Sequence, residues 1–186
     1  GESQVEPIMR KALAIGATKG YRIDAPAIDG FFVATQLSAL IKKEAYDLVI
    51  CGRESIDYNG AMVPGLIAHE CNYAFINTCV KLEVEEGQAK AIREIDGGNE
   101  KLSTSLPLVI GAQKGLVEES DLKIPNMRGI MMARQKPIEV IPAIEVAPRT
   151  LDVHFERPKV KGQVTLVDAN DLDTLIDLLH KEAKVL

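Results

Sequence analysis

The sequence predicts an α/β fold built on a doubly wound, mostly parallel sheet, with a β-hairpin and an extended C-terminal arm that ends in a helix. Three observations support this prediction. Amphipathic segments alternate with short apolar strands in the first half, two alternating strands flank a glycine turn in the middle, and prolines interrupt a weakly periodic region after residue 136. Helices between parallel strands form right-handed crossovers, so we expect helices on both sides of the sheet.

The first half of the chain supplies most of the helices and parallel strands of this sheet. Val5 to Ile15 carries its apolar residues on one helical stripe, and Gly16 follows as a helix terminator. Tyr21 to Ile23 predicts a short strand, and Gly30 to Glu44 predicts a second helix. Asp47 to Cys51 is almost entirely apolar, which is typical of a parallel strand buried on both faces.

The middle of the chain predicts a β-hairpin that leads into a core strand. A strand from Phe75 to Glu83 precedes it. Ala91 to Ile95 alternates in polarity, Asp96 to Asn99 provides residues that tolerate positive φ, and Glu100 to Ser105 returns as the partner strand. The near-continuous apolar run from Leu106 to Ala112 then predicts a strand that is covered on both faces.

The region after residue 136 is predicted to be an extended arm. Prolines at positions 137, 142, 148 and 158 disfavour regular structure. Residues 164–167 could add an edge strand, and residues 168–171 provide N-terminal caps for a final amphipathic helix. The predicted domains are therefore an α/β nucleotide-binding domain over residues 1–136 and an arm over residues 137–186. We expect the arm and its helix to pack on a partner subunit, with packing on its own domain as the alternative.

Composition and charge exclude several classes of function. The chain has 186 residues, 46% of them hydrophobic, which is enough for a sizeable core. A net charge of -5 argues against nucleic acid as a partner, and no apolar run approaches the ~20 residues that span a bilayer. Cys51, Cys71 and Cys79 lack CxxC spacing, and the three histidines are scattered. We therefore expect buried thiols, no metal and no membrane insertion.

The loop after Cys51 is the first candidate binding site, and it leads into a predicted helix near residues 61–70. In open α/β sheets, ligands bind beyond the carboxyl ends of the strands. Asp57 and Asn59 offer hydrogen bonds to a ribose or an adenine, and Gly60 lets the amides of the next helix approach a phosphate. This composition predicts a Rossmann-like adenine-nucleotide site, with an ordinary turn as the alternative. The candidate nucleotide-binding residues are Gly52, Asp57, Asn59, Gly60, Ala61, Met62 and Val63.

Catalytic machinery is not indicated anywhere in the sequence. Ser55 and Asp57 have no histidine nearby, and no two acidic residues have a spacing that would force general acid and base geometry. We therefore expect a chain without catalytic residues of its own.

The stretch from Ala91 to Gly111 resembles the signature of the beta subunit of electron transfer flavoprotein. That signature has a basic residue, an acidic-Gly-Gly turn and Glu, and later a Pro followed by aliphatic residues. Gly111 departs from it, because the family usually has a small non-glycine residue there. The resemblance extends from the first helix to the C-terminus, and it implies strands and helices before Gly1 in the complete subunit. The matching residues are Arg93, Asp96, Gly97, Gly98, Glu100, Leu102, Pro107, Val109 and Ile110.

The resemblance implies a soluble, heterodimeric electron carrier. It would take electrons from flavin-dependent dehydrogenases, such as acyl-CoA dehydrogenases, and pass them to a quinone reductase or another acceptor. The alpha subunit of the family holds most of the FAD. The loop that begins with Gly52, Arg53, Ile56 and Asp57 here holds AMP in most members and a second FAD in electron-bifurcating members. The expected compartment is a bacterial cytoplasm, or the mitochondrial matrix in a eukaryote.

Two details of the resemblance concern individual residues. Met62 and its neighbours stand where many relatives have polar side chains, and Met62 cannot donate a hydrogen bond, so we expect retained but weaker AMP binding. Leu116 occupies the position of an exposed leucine that docks on partner dehydrogenases; from the residues alone, core packing at a strand end is equally plausible.

Two other classes of function stay open at this point. One is a free-standing adenine-nucleotide-binding regulatory module of stress-protein type, and the other is a nucleotide hydrolase. The regulatory module would not need the proline-rich arm or the hairpin. Co-purification with a larger FAD-binding chain would favour the electron carrier. A colourless monomer that binds nucleotide would favour the regulatory module, and turnover of nucleotide would favour the hydrolase.

Overall fold

The apolar periodicity of the sequence corresponds to alternating helices and strands in the structure. The computed structural model describes residues 1–56, 58–160, 162 and 164–185. The chain divides into two compact units, residues 1–151 and 152–186. The helices are α1 (Glu6–Ala14), α2 (Gly30–Glu44), α3 (Val63–Cys71), α4 (Met127–Gln135) and α5 (Leu172–Asp177). The strands are β1 (Gly20–Asp24), β2 (Leu48–Gly52), β3 (Ala74–Glu85), β4 (Gln88–Ile95), β5 (Gly98–Ser105), β6 (Leu108–Ala112) and β7 (Ile138–Pro142).

The strands of the first unit form two sheets. The larger sheet has the order β2-β6-β3-β4-β5, and the smaller one pairs β1 with β7. β6 is parallel to both β2 and β3, and β1 is parallel to β7, whereas β3, β4 and β5 form an antiparallel meander. The predicted α/β fold with a mostly parallel sheet is confirmed.

Strand β6 lies at the centre of the core. Leu108, Val109 and Ile110 are all fully buried. Val109 packs with residues of α2 and α3, whereas Leu108 and Ile110 pack with residues of β3 and β4 on the opposite face. The prediction of a strand covered on both faces is therefore confirmed for β6.

The same prediction is wrong for β2. This strand lies at the edge of the larger sheet and pairs only with β6 among the described strands. Val49 and Cys51 pack against the cluster formed by α2 and α3. Ile50 points to the other face and is 59% exposed. An apolar run shows that a strand is hydrophobic, but it does not reveal whether a second layer covers it.

The predicted hairpin is present as β4 and β5. The two strands pair from Gln88 with Ser105 to Ile95 with Gly98, and the Asp96-Gly97 turn joins them. Gly97 has a φ of 85°, a conformation that favours glycine. Across the hairpin, Arg93 Nε donates to Glu100 Oε2 at 2.6 Å. Both residues of this ion pair belong to the stretch that resembles the family signature.

The proline-rich region differs from an arm that is extended throughout. Ile138–Pro142 forms β7 and pairs with β1, so residues 137–151 belong to the first unit. Residues 164–167 were expected as an edge strand, and those that the structure describes form none. The final helix is confirmed: α5 continues as a π-helical turn at Leu178–Glu182. Packing of the region on a partner subunit stays a prediction.

Three further properties follow from the described residues. None of their helices is both long enough and apolar enough to cross a membrane. Within the same residues, no three His, Cys, Asp or Glu side chains come together as a possible metal site. The three cysteines are free thiols.

Candidate functional site

The predicted nucleotide loop lies at the carboxyl ends of the parallel strands. β2 and β6 end side by side, with Gly52 in register with Ala112. The pairing continues one step further, because the Arg53 amide donates to the Ala112 carbonyl at 3.1 Å. The chain then leaves the sheet and reaches α3 at Val63. The loop thus lies at the edge where open α/β sheets bind their ligands.

The backbone of this loop is tightly turned. Asn59 and Ala61 have positive φ values of 47° and 49°, and the Asn59 amide donates to the Ser55 carbonyl at 2.8 Å. Positive φ is uncommon for residues other than glycine. Gly60 is exposed between them. Asp57, the candidate ribose ligand, lies outside the described residues.

The start of α3 offers main-chain donors to a ligand. Met62 is the residue at its N-cap, and it makes no side-chain capping bond. The first intrahelical bond runs from the Leu66 amide to the Met62 carbonyl, at 3.0 Å. The preceding amides of Val63 and Gly65 have no intrahelical partner, and Pro64 has no N–H to offer. The helix start can therefore present two amides to an anion.

The side chains at the helix start form an apolar wall. Met62 is 48% exposed and lies over the first turn of α2, where a Cβ at Gly30 would come within 2.7 Å of Met62 Sδ. Glycine at position 30 thus allows the loop to approach α2. Val63 packs against the core cluster of α2 and α3. Of the candidate residues at this end, Met62 adjoins the loop surface and Val63 supports the helix.

A concavity beside the loop was missed by the sequence analysis. It has a volume of about 480 Å3, and Arg53, Thr78, Glu94, Asp96 and Asn99 contribute to its lining. It therefore joins the start of the nucleotide loop to the tip of the β4–β5 hairpin. An ion pair between Arg53 and Glu54 partly neutralises the guanidinium.

Strand β3 is irregular where it borders this concavity. Its pairing with β6 shifts register between Ile76 and Cys79, and Thr78 has a φ of 50°. Such a conformation is an outlier for a β-branched residue, and bulges of this kind often re-aim side chains beside binding sites. Thr78 Oγ1 donates to the Glu94 carbonyl at 2.7 Å. The polar Asn77-Thr78 pair within an apolar strand was the available sequence signal.

Asn77 explains the glycine that departs from the family signature. Its Oδ1 is buried and has no hydrogen-bond partner among the described residues. A Cβ on Gly111 would overlap this oxygen. Residue 111 must therefore be glycine as long as Asn77 keeps this orientation.

The structure places Leu116 at the end of the core and not at an exposed tip. Its side chain is half-buried and packs against the cluster that includes Ile76 and Ile110. The neighbouring Val117 is 55% exposed, and Leu122 and Ile124 are also exposed. The alternative of core packing thus describes the observed position of Leu116, and its docking role stays a prediction.

The free thiols near the site are poor nucleophiles. Burial raises the pKa of the Cys51 thiol. Burial also raises the pKa of Cys79, although a hydrogen bond with the backbone of Lys81 partly opposes this effect. Only a thiolate is an effective nucleophile, so neither residue is suited to covalent chemistry at neutral pH.

Comparisons with known proteins agree with this architecture. Residues 1–146 match the family model of the electron transfer flavoprotein domain. The chain is 30% identical over 203 residues to electron transfer flavoprotein subunit beta of Bacillus subtilis, covering all of this chain and 77% of that protein. It is 31% identical over 200 residues to the probable subunit beta of Saccharomyces cerevisiae, covering all of this chain and 73% of that protein.

A mammalian relative shows the same similarity over a shorter region. The chain is 34% identical over 148 residues to electron transfer flavoprotein subunit beta of Sus scrofa, covering 77% of this chain and 57% of that protein. The chain therefore spans between 57% and 77% of the length of these three relatives. With a domain match over most of its length and beta subunits as its relatives, the chain belongs to the electron transfer flavoprotein family, among the beta subunits.

Proposed function

We propose that this chain acts in a heterodimeric electron carrier between flavin-dependent dehydrogenases and a quinone reductase or another acceptor. The observation that carries the proposal is the family match over residues 1–146. An alpha subunit would hold most of the FAD, which supplies the redox chemistry when it is bound. The residues of this chain would bind the partner, shield the site from water and present a docking surface.

We also propose that the loop from Arg53 to Met62 holds AMP, or a second FAD if the complex bifurcates electrons. The geometry supports a phosphate near the start of α3, where the Val63 and Gly65 amides lack intrahelical partners. Met62 offers an apolar contact in place of a hydrogen bond. The residues present thus fit a nucleotide that is held mainly by main-chain donors, which favours weaker binding.

Docking of dehydrogenases would involve the segment that follows β6. Val117, Leu122 and Ile124 are exposed aliphatic residues in this segment, and burying one such side chain stabilises a complex by roughly 1.5 to 3 kcal/mol. Leu116 would contribute by holding the segment on the core. We expect Val117→Ala to slow electron transfer without changing the melting temperature, whereas Leu116→Ala should lower the melting temperature as well.

Co-purification of the full-length protein with its alpha subunit tests the main proposal. A yellow complex that accepts electrons from a flavin-dependent dehydrogenase is expected. Its flavin and AMP contents should be measured: one FAD with one AMP indicates a simple carrier, and two FAD indicate bifurcation. A colourless monomer that binds nucleotide would contradict the proposal, and so would turnover of the nucleotide.

A substitution at Met62 tests the nucleotide site separately. Met62→Gln adds a hydrogen-bond donor, and one hydrogen bond is worth about 0.5 to 1.5 kcal/mol, so AMP affinity should rise about two- to tenfold in calorimetry. Met127→Gln, which changes an exposed methionine on α4, is the matched control. Absence of any AMP or ADP affinity in the heterodimer would exclude AMP from this loop.

A further inference from the structure

The segment that follows β7 is held on α2 by two side chains of that helix region. Gln36 is almost fully buried and makes two hydrogen bonds to the backbone of Ile144. Gln36 Nε2 donates to the Ile144 carbonyl at 2.7 Å, and the Ile144 amide donates to Gln36 Oε1 at 2.9 Å. The amide side chain thus satisfies both backbone groups of one residue, as a neighbouring strand would.

Asp29 holds the other end of the same segment. Its Oδ1 accepts from the Phe32 amide at 2.6 Å and so caps the N-terminus of α2. Its Oδ2 accepts from the amides of Arg149 and Thr150, at 2.6 and 2.8 Å, and from Thr150 Oγ1 at 3.3 Å. Helix capping requires only one carboxylate oxygen. The second oxygen is committed entirely to residues 149 and 150.

The two attachment points define the course of the segment. Asp29 and Gln36 are seven residues apart, which corresponds to about 10 Å along a helix. Gln36 binds Ile144 and Asp29 binds residues 149 and 150, so the segment runs antiparallel to α2. The Arg149 guanidinium also lies over the Phe31 ring, at 4.9 Å from its centroid. The segment therefore ends at a fixed place, just before the division between the two units at residues 151 and 152.

We propose that Asp29 and Gln36 are positioning residues that fix the origin of residues 152–186 for docking on the alpha subunit. This inference rests on the proposed function, because it requires that partner. A chain segment that starts from a fixed point loses less conformational freedom on binding than one that follows a mobile segment. The clamp made by Asp29 and Gln36 should therefore increase affinity without contacting the partner.

Two substitutions open the clamp while keeping the helix. Asp29→Asn retains an N-cap acceptor for Phe32 but replaces the second oxygen by an amide group that cannot accept. Gln36→Met keeps a side chain of similar length and removes both hydrogen bonds to Ile144. Thr35→Val, on the same helix as Gln36, is the matched control, since it removes a hydrogen bond from Thr35 to Glu70 of α3 and leaves the clamp intact.

The experiment combines amide hydrogen exchange with a binding measurement on full-length protein. We expect both clamp variants to lose exchange protection at Ile144, Arg149 and Thr150, and to bind the alpha subunit about tenfold more weakly. Thr35→Val should lower the melting temperature without changing either result. Unchanged exchange protection in both variants would show that Asp29 and Gln36 do not hold this segment, and the inference would be wrong.

The outcomes also separate this inference from the proposed function. Lost protection with unchanged affinity for the alpha subunit would show that the clamp exists but does not position the docking segment, which overturns the inference. If the wild-type protein bound no alpha subunit, the proposed function would fail, and the docking role of the clamp with it. Hydrogen exchange would still report on the clamp itself in that case.

Discussion

The two units of this chain differ in how they treat their apolar residues. The first unit buries Leu108, Val109 and Ile110 completely between two layers. In the second unit, none of the described residues is buried, and Leu166 is 91% exposed. The other large apolar residues that are exposed in the described part of the second unit are Val153, Phe155, Val160, Val164, Leu172, Leu175, Ile176 and Val185.

This difference shows that hydrophobic content alone does not identify a core. In the first unit, helices α2 and α3 cover one face of β6, and β3 and β4 pack on the other, so the apolar residues buried there stabilise the fold. The second unit has one short helix followed by a π-helical turn, and its apolar residues are spread along irregular chain. Apolar surface of this kind is favourable only when another surface covers it. Packing of the second unit on a partner subunit would cover this surface, and it stays a prediction.

The buried residue Ile110 and the exposed residue Leu166 should contribute very differently to stability. Ile110→Ala removes buried methylene groups from the central strand and should lower the free energy of unfolding by about 2 to 5 kcal/mol. Leu166→Ala in the second unit should change it by less than about 0.5 kcal/mol. Because the chain has no Trp, urea unfolding should be followed by circular dichroism. A comparable loss in both variants would show that Leu166 is part of a core.

The next effect concerns the irregular strand beside the hairpin. Gly111→Ala forces a Cβ into Asn77 Oδ1, and overpacking of this kind costs about 1 to 3 kcal/mol. Adding Asn77→Ala should recover most of that loss, because the oxygen that collides is then absent. A double-mutant cycle on urea unfolding measures the coupling between the two residues. Additive losses would mean that the strand relaxes and that the two side chains are independent.

Local patterns predicted the parts of the fold that depend on neighbouring residues. Helix α2 has the predicted bounds, Gly30 and Glu44, and the hairpin turn lies at the predicted Asp96 and Gly97. β7 was not predicted, because its partner β1 lies more than a hundred residues earlier and parallel pairing over that distance leaves no local signal.

In the candidate site too, the features that depend on neighbouring residues were predicted, and those that depend on distant parts of the chain were not. The sequence placed the loop after Cys51 at the carboxyl end of a strand, and the structure has that strand as β2, which ends one residue later at Gly52. The collision between Gly111 and Asn77 depends on how β3 and β6 pair, and the bonds from Asp29 to Thr150 depend on where the chain returns. Residue types at these positions are compatible with many other roles.

An exposed aromatic side chain of the second unit should contribute to binding of the alpha subunit. Phe155→Ala removes an exposed aromatic side chain from the second unit. It should leave the free energy of unfolding of the isolated chain unchanged and weaken association with the alpha subunit about tenfold, which corresponds to about 1.4 kcal/mol. The measurement is a titration of the alpha subunit with each variant. Tyr46→Ala, an exposed aromatic residue of the first unit, serves as the control.

The smallest effect is a pH dependence that should differ between the two units. Desolvation opposes ionisation of Asp29, but hydrogen bonds from the amides of Phe32, Thr150 and Arg149 outweigh it and lower the pKa of the carboxyl. A lowered pKa stabilises the fold at pH values above the unfolded value of about 3.9, and this contribution is lost as the pH falls through the folded value. The difference in unfolding free energy between wild type and Asp29→Asn should therefore be constant near neutral pH and shrink below about pH 4.

Asp171 provides the matched test in the second unit. Hydrogen bonds from the side chain and amide of Thr174 lower its pKa in the same direction, at the N-cap of α5. If the second unit adds no stability to the first, Asp171→Asn should leave urea unfolding unchanged at every pH, although the same kind of carboxylate is removed. An equal pH-dependent loss in both variants would show that the two units unfold together, and the exposed residues of the second unit would then need an explanation within the chain.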